Sequence, residues 1–191
     1  VTFPYLGVTV SSDLRWHNHV SCISTKATRT LNFVRQNIHG CSAETKALAY
    51  TSLVRPHLEY ASSAWDPYLA VDVSQLESVQ RRAARFACND YRHSTSVTGL
   101  LQHLHWPLLS TRRTNFRLAT FYKAVNNLTA ISTSHLQKPV RTTRNSDETT
   151  FTKLSTRTNT RKYSFFPRTI VDWNQLTRDQ RLNPSLNSFR L

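Results

Sequence analysis

The side chains that could act on a ligand are cationic, and they recur at helical spacing. Lys26 and Arg29 stand with Phe33; Arg81, Arg82 and Arg85 form a second set; Arg112, Arg113 and Arg117 with Phe116 form a third. A guanidinium group suits phosphate oxygens because its planar fork donates two parallel hydrogen bonds. An aromatic ring among such groups offers a stacking surface for an unpaired base. Lys26, Arg29, Arg81, Arg82, Arg85, Arg112, Arg113 and Arg117 are therefore the expected contacts to a nucleic-acid backbone.

Catalytic chemistry has no comparable foundation. The seven Asp and four Glu are dispersed, and the one adjacent pair, Asp147-Glu148, lies in a polar Ser/Thr-rich stretch where a solvated pair is expected. Two-metal phosphoryl transfer needs carboxylates held close together on rigid elements. His17-x-His19 and His103-x-His105 have the wrong spacing for one helix face and no supporting acid or Cys nearby. No nucleophile elbow, P-loop or dinucleotide fingerprint occurs. No catalytic residue, metal ligand or cofactor is expected in this chain.

Composition agrees with a polyanion partner. The 191 residues carry 25 Lys+Arg against 11 Asp+Glu, a formal net charge of +14. The excess grows along the chain: 6 basic and 4 acidic residues in 1–71, 8 and 3 in 72–125, 11 and 4 in 126–191. A field of that sign attracts nucleic acid. No apolar run approaches the roughly 18 residues that span a bilayer, so no membrane partner is expected. Cys22, Cys41 and Cys88 are odd in number and far apart. They suit a reducing, intracellular setting, nuclear and/or cytoplasmic, rather than a disulfide framework. A chain that starts at Val1 and contains no Met is expected to be a piece of a longer product.

Helices must position these cations. Residues 3–10 read as one short β-strand ending at Ser11-Ser12-Asp13, with no strand of comparable quality nearby to pair with it. From Asp13 to about Ile38, Val20, Ile23, Ala27, Leu31 and Val34 step by three or four and form one apolar stripe, with Lys26 and Arg29 roughly opposite. Ser42 should cap the next helix, which Pro56 breaks or kinks before Trp65 is buried. Asp72 or Ser74 should cap a further helix, with Ser74 and Glu77 as a capping box and Leu76, Val79, Ala83 and Phe86 as its stripe. A short helix over Val97 to Leu104 precedes a longer one over Leu108 to Asn126. In the longer helix Arg113 and Arg117 lie between two apolar flanks, which suggests packing between two layers. Residues 140–162 hold 10 Ser/Thr and 6 Lys/Arg and read as a linker or basic arm, followed by an aromatic island from Tyr163 to Leu176. The expected fold is mainly α: a helical bundle preceded by one short orphan β-strand, then a basic linker and a small aromatic island.

Several motifs in order resemble the C-terminal part of jockey-like non-LTR (LINE-type) retrotransposon reverse transcriptases. They are Tyr5-Leu6-Gly7-Val8-Thr9-Val10 with Asp13-Leu14-x-Trp16, Leu53-Val54-Arg55-Pro56-His57-Leu58-Glu59-Tyr60 with Trp65-Asp66-Pro67, and Leu76-Glu77-x-Val79-Gln80-Arg81-Arg82 through Phe86. Leu104-x-Trp106-Pro107-Leu108-Leu109, Tyr163-Ser164-Phe165-Phe166-Pro167 through Leu176, and Pro184-Ser185-Leu186-x-Ser188-Phe189 follow. The resemblance implies that residues 1–12 end a palm, with Tyr5, Leu6 and Gly7 as its primer grip. It implies a helical thumb and extension over 13–126, a linker over 127–162 and a C-terminal motif region over 163–191. The implied parent is an RNA-directed DNA polymerase using Mg2+, whose catalytic carboxylates precede Val1. The chain would bind RNA and DNA as primer–template or retroelement RNA, dock on the remainder of the palm, and catalyse nothing by itself. The alternative is a domesticated helical module, derived from a retroelement, that binds protein.

Overall fold

A computed structural model describes residues 1–140 and 147–183. The motif Pro184 to Phe189 lies outside the described residues. The fold is mainly α with one two-stranded antiparallel sheet at the amino end. It divides into two compact units, Val1–Arg113 and Thr114–Leu191.

The first unit opens with β1 (Thr2–Tyr5) and β2 (Val8–Ser11), paired so that Phe3 faces Val10 and Tyr5 faces Val8. The expected orphan strand is thus a hairpin with its partner in the same chain. Its two-residue turn places Leu6 at φ 45° and Gly7 at φ 82°. Positive φ at both positions matches the right-handed strand twist, but Asn-Gly or Asp-Gly is the usual signal, and Leu6-Gly7 hides it. Tyr60 pins the strained turn: its hydroxyl donates to the Leu6 carbonyl at 3.2 Å, and its ring covers Gly7.

The core of this unit lies between α1 (His17–Asn37) and α4 (Ala70–Cys88), which pack along one another. The two apolar stripes foreseen from the spacing, including Val20, Leu31, Leu76 and Ala83, are fully or almost fully buried here. Each large aliphatic side chain contributes about 1.5–3 kcal/mol by leaving water. Between them run α2 (Ala43–Ala49), whose Ser42 cap accepts from the Thr45 N–H at 3.2 Å, and α3 (Arg55–Glu59). Residues Tyr50–Val54 join α2 to α3 as a π-helical turn. Pro56 lacks an N–H and crowds the preceding turn, and a widened turn accommodates both defects without breaking the rod. The turn also carries Tyr50 into the core, where its ring packs on Trp106 at 4.4 Å between centroids and its hydroxyl donates to Gln80 at 2.9 Å. Burial holds the Tyr50 phenol far above its ordinary pKa.

α4 begins at Ala70 with no side-chain cap, so the expected Ser74–Glu77 capping box does not form. Glu77 is buried and accepts the Ser110 N–H at 2.8 Å, capping the amino end of α6 (Leu109–Val125) instead. Asp72 is also buried, against His17 at 2.8 Å. α5 (Val97–His103) is capped by Ser96.

The second unit builds a separate core from Leu118, Phe121 and Tyr122 of α6, Phe151, and Ile170 and Trp173 of α8 (Phe165–Gln175). α7 (Asn159–Lys162) and α9 (Arg178–Arg181) flank α8 in the chain. Part of the stretch expected to be a linker is therefore core. The Asn174 amide pairs with both backbone groups of Phe151, at 3.1 and 2.8 Å, and the Trp173 indole N–H donates to the Thr149 carbonyl at 2.9 Å. Asp147 is not merely solvated: it accepts from the Thr149 N–H and from Arg181, each at 2.8 Å. Burial would raise this carboxyl, but Thr149 and Arg181 prevail and hold it down to about 2.

Candidate nucleic-acid interface

Of the eight cations singled out in the sequence, four reach solvent unencumbered by acids. Lys26 and Arg29 are exposed on α1, and Arg81 and Arg82 are exposed on α4. Their placement follows from the apolar stripes. Where Val20, Ala27 and Leu31 face inward, Lys26 and Arg29 must face out; where Val79, Ala83 and Phe86 face inward, so must Arg81 and Arg82. The two helices bring Arg29 and Arg82 together. Arg82 donates to the Thr28 hydroxyl at 3.1 Å and to its own helix at the Ser78 carbonyl at 3.3 Å. Arg29 and Arg82 then line a shallow hollow of about 220 Å³ with Ser24, Thr25, Thr28, Gln75 and Ser78. The lining offers hydroxyls, an amide and guanidinium groups, and no carboxylate. The hollow presents hydrogen-bond donors from two helices at once. Lys26 also lies close enough to His57 to help burial depress the pKa of that imidazole.

Arg85 has a different task. Half-buried, it donates to the backbone carbonyls of Asp90, Arg92 and Thr95 at 3.3, 3.0 and 3.5 Å, and so closes the loop between α4 and α5. The third set is internal. Arg112 forms a two-pronged pair with Glu59, which raises its pKa further. The Arg113 side chain is 0% exposed and donates from Nε to Asp66 at 3.1 Å. The Arg117 side chain is 2% exposed and pairs with Asp172. A guanidinium sealed from solvent cannot touch a phosphate backbone, so Arg113 and Arg117 leave the contact set. The signal was in the sequence: a residue between two apolar flanks of one helix is buried, and a buried Arg needs an acid. Phe33 and Phe116 are both exposed as expected, at 64% and 39%.

The acids follow the opposite rule. In the first unit Glu59, Asp66, Asp72, Glu77 and Asp90 all turn toward partners within the fold. The Arg92 hydrogen bonds hold the Asp90 carboxyl well below the usual carboxylate range. Folding thus turns these five acids toward partners, while Asp13 and Glu44 stay exposed, and leaves Lys26, Arg29, Arg81 and Arg82 facing out.

Tyr5, Leu6 and Gly7 form the hairpin tip, and Tyr5 and Leu6 are 63% and 74% exposed. Sequence reasoning left Arg35, His39, Lys46 and Tyr91 without a role, because they come from separate elements. The fold gathers them around one cleft. Among the described residues no cluster of three or more potential metal ligands occurs. No helix among them is long and apolar enough to cross a membrane. No protein-family model, curated protein or solved structure matches the chain.

Proposed function

We propose that this chain is the thumb-bearing C-terminal part of a LINE-type RNA-directed DNA polymerase and grips the phosphate backbone of primer–template duplex or retroelement RNA. The observation that carries this reading is the segregation of charge: Lys26, Arg29, Arg81 and Arg82 stand exposed on two packed helices while neighbouring acids are consumed inside. Such a surface contributes through counterion release and discriminates little between base sequences. The motif resemblance supplies the polymerase context, and the exposed Phe3, Tyr5 and Leu6 support docking of the hairpin on the remainder of a palm. Those same exposed side chains favour the second reading, a domesticated module that binds protein.

The test is the salt dependence of binding to an RNA–DNA duplex. The slope of log affinity against log salt should fall by about 2 in a Lys26→Ala/Arg29→Ala variant, and by about 2 again when Arg81 and Arg82 are also replaced. Unchanged affinity and slope in the fourfold variant would end the proposal. A partner or oligomer that persists at high salt with no nucleic-acid binding would establish the protein-binding module.

A further inference from the structure

The carboxyl end of α1, the middle of α2 and the end of α4 enclose a cleft of about 410 Å³, within the usual range for small-ligand sites. Three basic side chains line it: Arg35 from the end of α1, His39 from the turn that follows it, and Lys46 from α2. Lys46 is the informative one. It is 6% exposed, yet among the described residues its ammonium pairs with no carboxylate, and it sits 5.1 Å from the centroid of the Phe86 ring. A ring face offsets only about 0.5–2 kcal/mol of the cost of withdrawing an ammonium from water.

No carboxylate lines the cleft. Asp90, the nearest acid in the chain to its rim, is committed to Arg92 and Thr95 at 2.8 and 2.9 Å, and Glu44 is exposed in the first turn of α2. The carboxyl end of α4 does not explain Lys46 either, because Asn89 closes that end in the left-handed conformation with its own N–H bonded back. On the open side the Arg35 guanidinium stands 6.0 Å from the centroid of the half-exposed Tyr91 ring.

We propose that this cleft is a phosphate site for a nucleotide, in which Lys46, Arg35 and His39 hold the phosphate and Tyr91 receives the base. Lys46 supplies a point charge on a side chain that is otherwise buried, and Arg35 supplies a planar fork. A base stacked on Tyr91 gains about 1–3 kcal/mol whatever its identity, and the amides of Asn32, Gln36 and Asn89 can donate to or accept from its edge. The phosphate belongs either to a free nucleotide or to an unpaired strand. The site uses none of Lys26, Arg29, Arg81 or Arg82, and so goes beyond the backbone grip.

The test titrates the full chain with adenosine monophosphate, adenosine and a single-stranded oligouridylate. The monophosphate should bind at least tenfold more tightly than adenosine. Lys46→Met, which keeps the packing on Phe86, and Arg35→Gln, at an exposed position, should each weaken a phosphate-bearing probe by about tenfold or more. Weakening of the oligouridylate as well as the monophosphate assigns the site to a strand; weakening of the monophosphate alone assigns it to a free nucleotide. The Lys26→Ala/Arg29→Ala variant should bind the monophosphate as the parent does, even where duplex binding has collapsed. If Lys46→Met fails to fold, Arg35→Gln decides. Equal binding of monophosphate and adenosine, or binding of every probe unchanged in both variants, overturns the proposal.

Discussion

Replacing Asp66 by Ala tests whether the third set of arginines is structural. The Arg113 side chain is 0% exposed, and its Nη1 and Nη2 have no hydrogen-bond partner; Asp66 supplies the charge that balances it. Removing one partner of a buried pair strands the other, at a cost of about 3–5 kcal/mol. That is a large share of the roughly 5–15 kcal/mol that a domain has to lose. At a urea slope of about 2 kcal/mol per M the unfolding midpoint should drop by roughly 2 M, read by tryptophan fluorescence and far-ultraviolet circular dichroism together. Arg113→Met keeps the apolar stem but takes the guanidinium from the buried Asp66 carboxylate, so it too should destabilise the unit. The double variant should be more stable than Asp66→Ala alone, with a coupling of about 0.5–3 kcal/mol. A loss below about 1 kcal/mol in Asp66→Ala, or simple additivity in the double variant, would refute the buried-pair reasoning. An accompanying rise in the salt slope of duplex binding would return Arg113 to the set of backbone contacts.

Three further outcomes follow from other contacts. Phe121 is fully buried with Phe151, Phe166 and Trp173 edge-on around it, so Phe121→Ala should destabilise the second unit by about 3–5 kcal/mol in a urea titration. Gly7→Ala should cost about 1–2 kcal/mol, because the residue sits at φ 82° and a Cβ would come within 3.2 Å of the Tyr60 ring; Tyr60→Ala should relieve the steric part of that cost in a double-variant cycle. His19 is buried and accepts the Thr9 N–H on Nδ1 at 3.2 Å, and burial lowers its pKa. The neutral form belongs to the folded state, so stability should be full above the unfolded value of about 6.5 and should fall as the pH drops below it, by at most about 1.4 kcal/mol per unit. Urea midpoints of His19→Gln, which keeps an acceptor and cannot titrate, should lose that part of the acid dependence.

The separation of charge has an energetic logic. Glu59, Asp66 and Asp90 do not compensate the outward cations, because each is already neutralised by Arg112, Arg113 or Arg92. At physiological salt the exposed cations act within about 8 Å of the surface, which is the range of a bound phosphate backbone. The exposed Phe33 on α1 stands in the same helix as Lys26 and Arg29 and offers a stacking face to an unpaired base.

Periodicity alone determined the long helices and their inward faces: Val20 to Val34 and Leu76 to Phe86 announce which side of each rod is dry, and Lys26, Arg29, Arg81 and Arg82 take the other. The Ser42 cap was equally legible, since it depends on residues only a few positions apart, and Trp65 is buried as expected, against His19 of α1. Tertiary structure decided the rest. The hairpin was hidden because Leu6-Gly7 carries no standard turn signal, and its turn is pinned by Tyr60, 54 residues away. Glu77 looked like a cap for its own helix and serves α6, 33 residues on. Arg113 and Arg117 looked like members of a cationic face and are neutralised by Asp66 and Asp172, 47 and 55 residues distant. A helical repeat is written in neighbouring residues, whereas the partner of a buried charge is chosen by which elements pack together, and that choice exists only once the chain has folded.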